Sequence, residues 1–386
     1  MIQRSFVSLL KKRLRERAPR PQVILGPRQV GKTTGLRQAM KGWAGPWHYA
    51  SADDTLAQAG AWIQNQWQMA LGKGRGVVLI LDEVQKIENW AETVKRLWDA
   101  EEERPRLKLV ISGSSSLTIQ KGLTESLAGR FEFIPVFHWS FPETRSAFGC
   151  SLETYLRVGG YPGAHRYARD YPRWFSYVKS AILDRVIDLD ILRHQTVAKP
   201  ALFWQTFEIL CGYPAQEVSY TKLLGQLQDK GNTDLIKRYI ELYEGAFLFK
   251  ALPKYSPRHL SVKTSSPKII PLCPALHALA AGPEAIKDPT RRGRVFEAVV
   301  GADLFRFAGE GLSYWRENNE KIDFVVTIGN QVFGIEVQSG LEKSIRANKK
   351  FSERHPDARF ALVTWDNYST FSKAPLAFLE QTSVSA

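Results

Sequence analysis

The chain has 386 residues, and its 53 lysines and arginines against 39 aspartates and glutamates give a net charge of +14. That length calls for two or three domain cores, and an apolar share of 44% with a charged share of 24% excludes a disordered or fibrous chain. No apolar run approaches the roughly 18–20 residues that span a bilayer; three cysteines cannot make a disulfide framework, and none of Cys150, Cys211 and Cys273 has a second cysteine or a histidine at metal-ligand spacing.

These features fit a reducing cytoplasm and no membrane association. The basic balance suggests a polyanionic partner, nucleic acid or nucleotide phosphate, with solubility alone as the alternative. Met1–Arg17 is basic and partly apolar, but it lacks the long apolar region and small-residue cleavage site of a signal peptide. It reads as an amphipathic helix with Phe6, Leu9, Leu10 and Leu14 on one face.

Pro19–Pro21 ends that helix. Gln22–Leu25 is a short apolar strand, followed by a glycine-bounded loop and a helix over Lys32–Met40. His48–Ala52 reads as a second strand, Thr55–Leu71 as a helix, and Val77–Leu81 as the clearest buried strand of the chain. Asn89–Glu103 is helical, and Leu107–Ile111 is another buried strand running into Ser112–Ser116. Strands and helices in alternation imply a parallel sheet covered on both faces.

After about Phe141 the pattern turns helical, through Leu152–Val158, Trp174–Arg193 and Pro200–Cys211. Val218–Gln228 and Asp234–Tyr243 are shorter helices around a turn containing Gly231 and Asn232, and Phe247–Leu252 follows as a strand. Two helices, a turn and a strand suggest a winged helix-turn-helix. Ser256–Pro267 reads as a polar, basic linker. A last α/β segment comprises a helix over Gly293–Phe307, strands near Leu312–Trp315, Ile322–Ile328 and Gln331–Gln338, and a helix and strand reaching Trp365. The expected division is 1–141, 142–255 and 256–386.

Gly26-Pro27-Arg28-Gln29-Val30-Gly31-Lys32-Thr33, continued by Thr34, matches G-x-x-x-x-G-K-[ST] between a strand and a helix. In such a loop successive backbone N–H groups wrap a β-phosphate, Lys32 reaches the β and γ oxygens, and Thr33 ligates Mg²⁺. Asp82 ends the strand Val77–Leu81, where open α/β sheets place their ligands, and is the second candidate Mg²⁺ residue. Glu83 follows as the candidate general base for an attacking water. Ser114 lies past the next strand, as a γ-phosphate sensor or a residue of an ordinary serine turn. Arg130, in Leu127-Ala-Gly-Arg130, is an arginine finger toward a neighbouring subunit, implying a homo-oligomer, or else a surface arginine or an internal ion pair.

Gly26–Thr34, Leu79–Gln85, Ser112–Leu117 and Leu127–Arg130 resemble the AAA-type ATPases of bacteria and archaea whose ATPase domain precedes a helical and winged-helix region and a restriction-endonuclease-like C-terminus. Leu235–Tyr255 looks like the winged-helix segment of that family. Arg292–Glu297, Tyr314–Val326 and Gly334–Gly340 look like its last segment. The resemblance covers nearly the whole chain. It implies an α/β P-loop NTPase fold and the binding and hydrolysis of ATP with Mg²⁺. N-K-x-D and L-S-G-G-Q motifs, which mark GTPases and ABC ATPases, are absent.

In the last segment Glu297, on a helix, and Asp323 and Glu336, on adjacent strands, form an acidic set that can hold Mg²⁺ for phosphodiester cleavage. Gln338 shares a strand face with Glu336. The set resembles the PD-(D/E)xK nuclease core, in which a lysine normally occupies the place of Gln338. Lys321, on the face of Asp323, is a candidate substitute for that lysine. An inactive fold that keeps the acids as buried polar pairs is the alternative. Lys237, Arg238 and Tyr239, with Lys250, Lys254, Arg258, His259, Lys263 and Lys268, are candidate contacts to DNA phosphates, against a solvated helix face and a protein-binding wing. Together these readings give an ATPase coupled to a DNA-binding, nuclease-like C-terminus, or a nucleotide-driven switch or remodelling scaffold whose C-terminus binds protein.

Overall fold

The computed structural model describes residues 2–17, 19–54, 61–100, 107–114, 127–192, 195, 197–227, 231–256, 265–318, 320–340 and 349–385. Two compact units emerge, one of Met1–Phe137 with Arg185–Gln195, the other of His138–Asp184 with Thr196–Ala386. The flanks of Arg185–Gln195 thus belong to the second unit while the segment itself packs in the first.

The first unit is built on strands β1 (Gln22–Leu25), β2 (Trp47–Ser51), β3 (Val77–Asp82), β4 (Leu107–Gly113) and β5 (Glu132–Pro135), in the spatial order β2-β3-β4-β1-β5. Every pairing is parallel. β3 lies inside the sheet and is buried throughout, which explains its unbroken run of branched apolar residues. Burying each of those side chains is worth roughly 1.5–3 kcal/mol. Leu79, Leu81, Trp67, Trp90 and Val94 join one core cluster from strands and covering helices.

β5 has no signature in the sequence. It is an edge strand, half exposed, and ends in a proline, a residue that sheets confine to such positions. The N-terminal helix runs over Ser5–Leu14 and buries Phe6, Val7, Leu10 and Leu14. Leu9, expected on that face, is 38% exposed, because its angular step carries it off the Phe6–Leu10–Leu14 stripe.

In the second unit, a helix over Phe141–Phe148 opens on a Ser140–Glu143 capping box, and a helix over Leu152–Val158 follows. The expected helix over Trp174–Arg193 is interrupted. An α-helix over Tyr171–Ser176 gives way to π-helical turns at Tyr177–Leu183, and a second π-helical stretch, Val186–Leu192, falls in the segment that packs in the first unit. Arg193 lies outside the described residues. Helices Tyr220–Leu224 and Thr233–Gly245 accompany a small antiparallel sheet, β6 (Gln216–Glu217), β7 (Phe249–Leu252) and β8 (Lys268–Pro271), ordered β6-β8-β7.

A mixed sheet completes that unit: β9 (Leu312–Glu317), β10 (Glu320–Ile328), β11 (Gln331–Gln338), β12 (Arg359–Thr364) and β13 (Val384–Ser385), in the order β13-β12-β11-β10-β9. Only β11 and β12 pair in parallel. A long helix, Pro289–Ala308, accompanies the sheet and presses Gly301 against Phe324. Among the described residues no helix is long and apolar enough to cross a membrane.

Candidate nucleotide site

The loop between β1 and the helix Lys32–Met40 has the backbone its sequence demands. Gly31 sits at φ +89°, a conformation that costs an ordinary residue dearly. A Cβ on Gly26 would lie 1.8 Å from the Val136 carbonyl oxygen, so the strand-to-loop turn passes too close to its neighbour for any side chain. Gln29 also takes a left-handed conformation, φ 58°, which is uncommon for a non-glycine residue and concentrates at ligand clamps.

Lys32 is buried, and its ammonium donates to the carbonyls of Gly26 (2.9 Å) and Pro27 (2.7 Å). Burial lowers its pKa to about 8, against the opposing pull of Glu83 and Asp82.

Asp82 is the centre of the site. Its Oδ2 accepts from the Thr33 hydroxyl at 2.7 Å and from the Tyr49 hydroxyl at 2.8 Å. Its Oδ1 accepts from the Ser112 hydroxyl at 2.7 Å and the Glu83 amide at 3.1 Å. The sheet order explains this shell: β2 and β4 flank β3, and parallel strands bring their C-terminal ends together. A hydroxyl and a carboxylate oxygen meeting at the mouth of a backbone cradle are hard donors of the kind Mg²⁺ takes.

Glu83 stands at φ 55°, strained for a glutamate. Its carboxylate accepts from the Gln85 carboxamide at 2.6 Å and the Ser114 hydroxyl at 3.0 Å, and Gln85 and Ser114 also bond each other at 3.1 Å. The structure therefore brings Lys32, Thr33, Asp82, Glu83 and Ser114 to one place. Arg130 is bound instead to Asp99, at 2.8 Å through Nε and 3.4 Å through Nη2.

Four members of this site escaped the sequence reading. Ser112 was detectable in principle as a hydroxyl near the C-terminal end of β4, and Tyr49 as one in the middle of β2, both strands beside β3. Gln85 lies two residues past Glu83. Asp190 had no local signal at all. It accepts from Nε and Nη2 of the Arg28 guanidinium at 2.6 Å each, from 162 residues away.

The acids of the C-terminal sheet are also gathered, but with cations among them. Lys268 is buried, forms an ion pair with Glu297, and donates to the Asp323 carbonyl at 2.8 Å. Lys321 donates to Asp323 Oδ1 at 2.8 Å, and the Val337 amide to Asp323 Oδ2 at 3.0 Å. β10 carries an irregularity between Ile322 and Val325, the kind of defect that re-aims a side chain such as Asp323. Glu336 is raised to about 8, first by burial and next by the charge of neighbouring Asp323. Gln338 keeps its carboxamide oxygen buried with no hydrogen-bond partner in the described structure. Among the described residues no three His, Cys, Asp or Glu side chains are disposed to hold a metal ion.

The basic residues expected on DNA are largely engaged elsewhere. Lys237 pairs with Asp234, Arg238 with Glu241, and Lys250 with Glu244 and Glu310. Tyr239 is buried, and Lys268, expected outside, is part of the acid cluster. Arg258, His259 and Lys263 lie outside the described residues.

With the loop, the strand order and the Asp82 shell in place, comparison with known families is informative. Residues 18–145 match the family described as AAA domain. This segment has the fold of a P-loop NTPase and is similar to that family. Residues 150–282 and 292–376 match two families described only as domains of unknown function.

An uncharacterised protein of Methanocaldococcus jannaschii is 23% identical over 330 residues, covering 79% of this chain and 71% of its own. One of Haemophilus influenzae is 22% identical over 273 residues, covering 68% of this chain and 65% of its own, so the chain spans a little under two thirds of that relative. The structure of a Walker-type ATPase of Pyrococcus abyssi superposes with a TM-score of 0.51 at 15% identity, over 72% of this chain and 96% of that one. At that identity the likeness is one of fold.

Proposed function

We propose that the protein binds ATP with Mg²⁺ at the Gly26–Thr33 loop, hydrolyses it, and works as a nucleotide-driven switch whose C-terminal sheet binds a partner without cutting it. The observation that carries this reading is the meeting of Thr33 and Asp82 at 2.7 Å beside the backbone cradle, with Glu83 next in sequence. Mg²⁺, held by Thr33 and Asp82, would neutralise phosphate charge. Lys32 holds the β and γ oxygens. Glu83 orients and deprotonates water, and Gln85 and Ser114 fix the Glu83 carboxylate for that work. The expected test is calorimetry with ATP and Mg²⁺: wild type binds, and Lys32→Ala does not. Absence of wild-type binding overturns the reading.

For the C-terminal sheet, the placement of Lys268 and Lys321 among the acids supports a neutralised network in an inactive fold. A second reading, metal-dependent cleavage of DNA bound at the winged-helix segment, draws on the gathering of Glu297, Asp323 and Glu336 around one another. Incubation of DNA with Mg²⁺ or Mn²⁺ separates the two. Cleavage lost in Glu336→Ala establishes the second reading, and uncut DNA the first.

A further inference from the structure

Arg28 is the third residue of the phosphate-binding loop, and its guanidinium donates through Nε and Nη2 to Asp190. The pair is bidentate at 2.6 Å, the strongest geometry open to two such groups. Asp190 is 5% exposed, so its carboxylate has little water to fall back on. It rides on Val186–Leu192, a π-helical stretch, a winding that is rare and recurs at functional sites. That stretch belongs to Arg185–Gln195, which packs in the nucleotide-binding unit although the chain on both sides belongs to the other unit. Asp190 also acts electrostatically on Lys32, as Arg28 does, which places all three charges in one field.

We propose that Asp190 is a stand-in anion for the nucleotide phosphates, so that nucleotide binding draws Arg28 from Asp190 and frees the Arg185–Gln195 segment. The inference rests on the reading of the loop as a nucleotide site. Triphosphate oxygens entering the cradle would bring multiple negative charges beside Arg28 and Lys32, the two cations Asp190 now compensates. Two anions of this kind cannot share those cations without repulsion, and the loop is covalently fixed, whereas the segment is held by this pair together with the burial of Val186, Ile187 and Ile191. Asp190 is thus a positioning residue that acts through Arg28, and the segment is the element that reports nucleotide occupancy to the flanking chain.

The test uses the full-length protein with the non-hydrolysable imido analogue of ATP and Mg²⁺. Hydrogen–deuterium exchange of residues 185–195 is followed with and without the analogue, beside calorimetric affinity. In wild type, exchange of the segment is expected to rise on binding. Asp190→Asn is expected to show high exchange without nucleotide and to bind the analogue about tenfold more tightly. Asp190→Glu is expected to restore protection, which separates loss of the charge from loss of the fold. Unchanged or reduced exchange on binding, or an affinity for Asp190→Asn equal to or weaker than wild type, overturns the proposal alone. Failure of wild type to bind the analogue overturns it together with the nucleotide-site reading.

Discussion

Thr33 and Asp82 stand 49 positions apart and meet in a hydrogen bond of 2.7 Å, with Tyr49 donating to the same carboxylate oxygen at 2.8 Å. The two donors have different fates when Mg²⁺ arrives, because Thr33 lies on the phosphate loop and Tyr49 on β2 behind it. Thr33→Val is expected to abolish the Mg²⁺ dependence of nucleotide affinity. Tyr49→Phe is expected to keep it while losing about 1.5–3 kcal/mol of stability, the value of a hydrogen bond to a charged group. Calorimetry with and without Mg²⁺, together with denaturant melts, distinguishes them.

Gln85 and Ser114 both donate to Glu83, and Gln85 also donates to Ser114, so they act as a unit. Gln85→Ala and Ser114→Ala are each expected to lower kcat about tenfold with little change in KM, since both fix the base and neither lies on the phosphate loop. The double variant is expected to fall well short of the product of the two effects. Full additivity would mean that they serve separate roles.

How much of this was legible beforehand depended on distance along the chain. The Gly26–Thr33 loop and the Val77–Leu81 strand with Asp82 and Glu83 after it are local patterns whose chemistry follows from consecutive residues, and both stand where the sequence put them. Tyr49 becomes a site residue only once β2 is known to lie beside β3, a fact set by packing. Asp190 depends on a segment returning to the first unit from within the second, which no periodicity encodes. The π-helical turns around it were hidden for a related reason, because the apolar spacing of Trp174–Arg193 is close enough to 3.6 to read as one continuous helix. Lys268 looked like one more surface cation in a basic stretch, and only the sheet shows its ammonium buried against Glu297.

The acid cluster makes a pH prediction. Glu336 titrates at about 8 in the folded protein, above its ordinary range, so the native state holds a proton there that the unfolded state releases. That contribution is complete below the usual glutamate range and is lost as pH climbs through 8. Melting temperature is expected to fall between pH 6 and 9 in wild type and to fall less in Glu336→Gln. Identical profiles would show that Glu336 is ionised in the fold.

Arg130 is held by Asp99 within its own unit, both side chains about one third exposed. Such a pair is worth roughly 0.2–1 kcal/mol. Arg130→Ala is expected to cost no more than that in stability, and ATP hydrolysis per subunit is expected to stay constant as protein concentration rises. A rate that climbs with concentration and collapses in Arg130→Ala would make the arginine a group that serves a neighbouring subunit.

The most direct test of the central claim is phosphate release from ATP and Mg²⁺ by wild type and Glu83→Gln, with binding measured on the same samples. The expected result is turnover by wild type, and a loss of about 10²–10⁴-fold in Glu83→Gln with ATP affinity retained, as for removal of a general base. Equal turnover in the two proteins, or none in wild type despite bound ATP, would contradict the assignment of Glu83 and with it the reading of this site as a hydrolytic one.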